Sequence, residues 1–104
     1  MIERRHLANR RAAEVFDFMH ANRKWTATVG RFRDGSVAEV FLDTKPSPLA
    51  DMAADAAILA SICLQSGANF ETVRHAIAGR AGPLAAALAL IEPKDEDQAG
   101  EQRQ

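Results

Sequence analysis

The chain has 104 residues, of which 47% are hydrophobic, 26% charged and 6% aromatic, and its formal net charge is −1. This length fits one domain of ordinary size, and the hydrophobic fraction excludes wholesale disorder. A single Cys excludes a disulfide framework and a cysteine-based zinc site. The apolar run 49–64 carries two Asp and is too short to span a bilayer. No apolar segment follows Met1, so we expect a cytoplasmic protein without a secretory signal.

The charges are unevenly placed along the chain. Residues 1–33 hold eight Lys/Arg and three Asp/Glu, whereas residues 34–104 hold five and eleven. A basic first third can attract phosphate or an acidic partner, although a solvated surface explains the same pattern. We predict a basic N-terminal arm over residues 1–11, one domain over 12–91 and a disordered acidic tail over 92–104.

Three strands are predicted in the first half of the domain. Phe16 and Phe18 share a face in the segment 12–19, and apolar and polar residues alternate over 24–32. An Asp-Gly pair then indicates a hairpin into a third strand over 36–43. The three segments therefore predict a three-stranded antiparallel meander.

Both faces of the third strand carry apolar side chains. Val37 and Phe41 share one face, and Ala38, Val40 and Leu42 share the other. Helices can cover one face of a three-stranded sheet but hardly both. We therefore predict a homodimer, or contact with another protein, through the face of Val37 and Phe41.

Three helices are predicted after the breaker cluster at Pro46 and Pro48. The first begins at Ser47 as N-cap and runs to about Ser66, and because it is apolar almost all round we expect it to be buried. Two shorter helices follow, one after Asn69 and one after Gly82-Pro83. The fold class predicted is α+β: a three-stranded antiparallel meander followed by three helices, of which one is long and buried.

Five segments in this order resemble a known family. They are Thr26–Phe32; Asp34-Gly35 followed by Ala38–Leu42; Asp55–Ala57 with Ser61–Gly67; Phe70–Ile77; and Gly82–Leu88. Together they resemble the TSCPD domain, which occurs near the C-terminus of adenosylcobalamin-dependent ribonucleotide reductases and in short stand-alone proteins. The likeness covers about two thirds of the chain. Where the family carries the Thr-Ser-Cys-Pro-Asp segment of its name, this chain has Ala81-Gly82-Pro83-Leu84 and no Cys.

The resemblance implies a link to ribonucleotide reductase and deoxyribonucleotide supply. The reductase's catalytic barrel, cobalamin site and radical cysteines do not fit in 104 residues, so this chain cannot reduce ribonucleotides alone. We expect a non-catalytic accessory or regulatory module without cofactor or metal. Its expected partners are a second copy and a ribonucleotide reductase or nucleotide. The alternative is a nucleotide- or nucleic-acid-binding module that uses the basic first third.

Two segments are candidate ligand sites. In the first, Gly79, Arg80 and Gly82 precede a helix, where free amides and a guanidinium attract a phosphate; a plain helix–helix turn explains the same residues. The second is a basic strand with an aromatic side chain on which a base can stack. Its residues are Arg23, Lys24, Trp25, Arg31 and Arg33. Because Trp25 shares a face with apolar neighbours, packing explains it better than base stacking does.

No catalytic constellation emerges from the remaining polar residues. Ser61 with His75 lacks a nucleophile-elbow motif, and the three His lack metal-ligand spacing. Asp51 and Asp55 lie one helical turn apart, and a dipole contact and a hydrogen bond explain them better than Mg²⁺. Cys63 lies among apolar neighbours, which predicts a buried and unreactive thiol.

Overall fold

The computed structural model describes residues 14–93, and these form an antiparallel sheet followed by three helices. The strands are β1 (Glu14–His20), β2 (Arg23–Arg31) and β3 (Val37–Asp43), in the spatial order β1-β2-β3. The helices are α1 (Pro48–Gln65), α2 (Phe70–Ala76) and α3 (Pro83–Ala89). The α+β meander predicted from the sequence is thus confirmed. The predicted arm and most of the predicted tail lie outside the described residues.

Local turn chemistry fixes where the strands and helices begin. Ala21 and Asn22 connect β1 to β2 with φ of 53° and 60°, the positive values that a tight two-residue hairpin requires. The Ser47 side chain caps α1 by accepting the Ala50 N–H at 3.0 Å. Asn69 caps α2 in the same manner through the Thr72 N–H. These turns keep the sheet antiparallel and place α1 directly after β3.

One face of the sheet forms the core with the helices. Trp25, Ala27 and Val29 of β2 lie between Phe18 of β1 and Val40 of β3, and all are buried. The Trp25 Nε1–H donates to the His20 carbonyl at 3.0 Å, so the indole is buried with its polar atom satisfied. Helix α1 packs along β3, and α3 reaches β1.

A β-bulge in β3 moves the Val37 side chain to the other face of the sheet. Gly30 pairs with Glu39 but Arg31 pairs with Val37, so Ala38 is an extra residue on β3. Val37 and Ala38 are consequently both buried. Strict alternation had placed Val37 beside Phe41 on the outer face. That placement is wrong, and Val37 is not available to a partner.

Candidate functional site

Helix α1 is buried on one side only, which corrects the prediction that it is buried all round. The side against the sheet is built mainly from small residues: Ala53, Ala57 and Ala60, with Ser61 beside them. Small side chains let the helix lie close to β3. Leu64 also faces the core, whereas Met52, Ile58, Leu59 and Ile62 point the other way. The prediction failed because it took a helix that is apolar almost all round to be buried on every side.

The outward side of α1 is a continuous apolar surface. Met52 and Leu59 are 69% and 64% exposed, and Ile58 and Ile62 are 48% and 39% exposed. Cys63 is also exposed, so the predicted buried thiol is wrong. We call this surface the α1 outer face: Asp51, Met52, Asp55, Ile58, Leu59, Ile62 and Cys63. Helical periodicity puts all seven on one stripe.

Charge on the α1 outer face is confined to its N-terminal half. Asp51 and Asp55 are exposed, and no described residue donates a hydrogen bond to either carboxylate. From residue 56 to residue 65 the helix carries no charged side chain, and α1 has no Lys or Arg. Among residues 14–93 no group of three His, Cys, Asp or Glu is arranged for a metal ion. The face is therefore apolar at one end and acidic at the other.

At 18 residues helix α1 is longer than the apolar run 49–64, and contrary to the expectation for that run it meets the length and apolarity of a membrane-spanning helix, with a mean hydropathy of 1.3. A helix in the core of a globular protein passes the same test, and a third of α1 is buried against the protein. Helices that lie on membrane surfaces usually present basic side chains to anionic headgroups. The α1 outer face presents two carboxylates instead.

The polar side chains on the sheet side of α1 seal the edge of β3. Ser61 Oγ accepts the Val40 N–H at 2.9 Å and donates to the Val40 carbonyl at 3.1 Å. Gln65 Nε2 donates to the Ala38 carbonyl at 3.1 Å. These bonds satisfy backbone groups that an edge strand otherwise offers to another chain. Since Ser61 is buried and occupied while His75 is exposed on α2, the structure does not bring the two together as a catalytic pair.

The predicted basic strand does not form a common surface. Trp25 is fully buried, and the Arg31 guanidinium is buried against the Glu14 carboxylate and the Gly35 carbonyl. Arg23 bonds to the Lys45 carbonyl and the Ser47 hydroxyl. Lys24 lies 3.8 Å from Asp17 on the outer sheet face. Arg33 is exposed on the hairpin that follows β2. With the aromatic ring in the core, no base can stack on this strand.

The predicted phosphate loop is an exposed turn between α2 and α3. Gly79 has a positive φ of 80°, and nothing lies close enough to Gly82 for a Cβ to meet. Helix α3 has seven residues and begins with Pro83, which has no N–H to offer a phosphate. Arg80 is exposed and lines a groove of about 340 Å³ whose other side chains are apolar, among them Leu49, Met52, Ile77 and Leu84. The groove adjoins the α1 outer face through Met52.

A smaller apolar row crosses the outer face of the sheet. Val15, Thr28 and Phe41 are register neighbours on the three strands, and Val15 and Phe41 are 62% and 44% exposed. The row beside it is polar, with Thr26 Oγ1 donating to Asp17 at 2.7 Å. Phe41 thus lies where the sequence predicted it. Phe16 lies on the opposite face of the sheet from Phe41, where it packs with Phe18 against the core.

Comparison of the sequence with family models and with curated proteins, and of the fold with solved structures, yields no match.

Proposed function

We propose that this chain is a non-catalytic accessory module that acts through contacts with other proteins. The observation that carries the proposal is the α1 outer face, where four large aliphatic side chains stand exposed on one helix. Soluble monomers seldom leave so large a contiguous apolar surface uncovered, and such surfaces typically mark interaction sites. The same chain fills the opposite side of α1 with small residues, so the exposure follows from how the helix is built.

Two polar residues that could serve in catalysis are instead held in contacts that stabilise the fold. Ser61 is engaged by Val40 on both its donor and acceptor sides. Arg31, the most deeply buried cation among the described residues, is held by Glu14 and Gly35. These contacts support an interaction role over an enzymatic one. The alternative, binding of nucleotides or nucleic acid, relied on the basic strand, and no observation in the structure favours it.

The resemblance to the TSCPD domain indicates which protein this chain would bind. An adenosylcobalamin-dependent ribonucleotide reductase is the protein in which such domains occur, and a stand-alone chain that resembles one is suited to bind or regulate that enzyme. This step is an analogy at the level of the family and is tested directly.

Binding of the purified chain to the purified reductase of its host tests this proposal. We expect the two proteins to co-elute in size-exclusion chromatography at about 10 μM, a concentration that detects the weak contacts typical of regulatory complexes. An unrelated cobalamin enzyme serves as the control and should elute separately. Separate elution of the reductase would contradict the assignment of this partner.

A further inference from the structure

We propose that the α1 outer face is covered by a second copy of this chain, through antiparallel pairing of α1 with α1 across a two-fold axis. This inference rests on the proposed function, because it takes the α1 outer face as a protein contact surface. It differs from the sequence-based expectation, which placed the dimer contact on the outer sheet face with Val37 and Phe41. The bulge at Ala38 has moved Val37 into the core, and the row that remains is narrow and flanked by polar groups.

The distribution of charge on α1 favours an antiparallel arrangement of the two copies. The apolar side chains Ile58, Leu59 and Ile62 lie in the half of α1 without charge, and Asp51 and Asp55 lie in the other half. A two-fold axis near Leu59 and Ile62 brings the two uncharged halves together. It also leaves the four carboxylates at the rim, in water. A parallel pair would instead set each Asp beside its own copy, with like charges in contact.

The two-fold arrangement also satisfies the symmetry of the surface. In an isologous contact the same patch is used by both copies, so the patch must be complementary to itself. Leu59 of one helix can pack against Ile62 of the other, and Ile62 against Leu59, and the small side chain of the half-buried Ala56 beside them leaves room for close approach of the two helices. The edge of β3 is sealed by Ser61 and Gln65, so the pairing does not extend the sheet at that edge.

The size of the contact predicts a weak dimer. A two-fold axis near Leu59 and Ile62 overlaps the two helices over residues 56–65, which at a rise of 1.5 Å per residue is a length of about 15 Å, and a helix is about 10 Å across. A single helix pair of these dimensions belongs to the small, transient class of interfaces, which bury less than about 1,200 Å². We therefore expect a dissociation constant of about 10 μM.

Sedimentation equilibrium of the isolated protein tests the pairing. At about 1 μM the mass should be near 11.3 kDa, and at about 100 μM about four fifths of the chains should be in dimers of twice that mass. Leu59→Glu places a carboxylate in each half of the contact and should weaken the dimer at least about 100-fold. Phe41→Glu, a charge added at a comparably exposed apolar residue on the sheet, should leave it unchanged.

Cys63 gives a second readout that needs no substitution. Its thiol is exposed in the single chain and lies within the proposed contact. In the wild-type protein the rate of alkylation should be about fourfold lower at about 100 μM than at about 1 μM, in proportion to the monomer fraction. This measurement decides the point even if Leu59→Glu does not fold.

Three results would overturn the pairing. One is a monomer at about 100 μM, a concentration far above the expected dissociation constant. Another is a dimer that survives Leu59→Glu but is lost in Phe41→Glu, which would place the contact on the sheet. The third is a monomer that floats with vesicles of phosphatidylcholine and phosphatidylglycerol, which would make a lipid surface the occupant. Failure of the pairing leaves reductase binding intact, since co-elution with the reductase is measured separately.

Discussion

Replacement of Ser61 by Ala removes the contact through which α1 seals the edge of β3. Ser61 is 4% exposed, and its hydroxyl is the partner of both the N–H and the carbonyl of Val40. Val40 itself is fully buried, so water cannot replace the hydroxyl without a local rearrangement. The substitution therefore leaves two buried backbone groups without a partner.

The expected loss of stability is the cost of leaving the Val40 N–H and the Val40 carbonyl without hydrogen-bond partners. An unsatisfied buried polar group costs about 1–3 kcal/mol, so the two groups together cost about 2–6 kcal/mol. Ala is a better helix former than Ser by about 0.5 kcal/mol, which offsets part of the loss. We expect the free energy of unfolding to fall by about 1.5–5.5 kcal/mol, a large share of the 5–15 kcal/mol typical of a domain.

Urea denaturation at about 1 μM protein, where self-association is negligible, measures this effect. The free energy of unfolding falls with urea concentration at a slope of about 1–1.5 kcal/mol/M, so the midpoint should fall by about 1–5 M while this slope stays constant. Cys63→Ala is the matched control, because Cys63 lies two residues away on the exposed side of the same helix; its midpoint should move by less than about 0.5 M. A midpoint for Ser61→Ala equal to that of the control would refute the role given to the hydroxyl.

Two further substitutions test other contacts by the same denaturation assay. Ala21 adopts a φ of 53°, which costs a non-glycine residue about 1–2 kcal/mol, so Ala21→Gly should stabilise the protein by about 0.5–1 kcal/mol; Ala81→Gly, in a turn without positive φ, should not stabilise it. Glu14→Ala leaves the buried Arg31 guanidinium without its carboxylate. Because the Glu14 side chain is half-exposed and water can take its place, this substitution should cost about 1–2 kcal/mol. Arg31→Met, which removes the buried charge itself, should cost less. Equal midpoints for the Glu14 and Arg31 variants would contradict this asymmetry.

The strands and helices were predictable because their signals are local. Asp34-Gly35, Ser47-Pro48 and Asn69 each set a turn or a cap within a few residues, and these turns fix the order and the boundaries of the elements. Trp25 was correctly placed on the apolar face of β2, and that packing, rather than base stacking, is what the structure shows.

The candidate site could not be predicted, because it depends on which side of α1 meets the sheet. An alanine-rich side and a side with Met52, Leu59 and Ile62 are both apolar, so hydrophobic periodicity does not distinguish them. The choice is made by the hydrogen bonds of Ser61 and Gln65 to β3, which are contacts between residues more than twenty positions apart. The bulge at Ala38 likewise depends on the pairing with β2, and the sequence of β3 alone does not reveal it.

Labelling of Cys63 inside the host cell tests most directly the claim that the α1 outer face is a protein contact surface. The purified chain at about 1 μM, where it is monomeric, gives the reference rate of alkylation. A second chain or a reductase on the α1 outer face protects the thiol, so we predict that Cys63 reacts more slowly in the cell than in the dilute protein, relative to a free thiol labelled in parallel. An equal relative rate in the two settings would show that the α1 outer face is uncovered in the cell and would contradict the account.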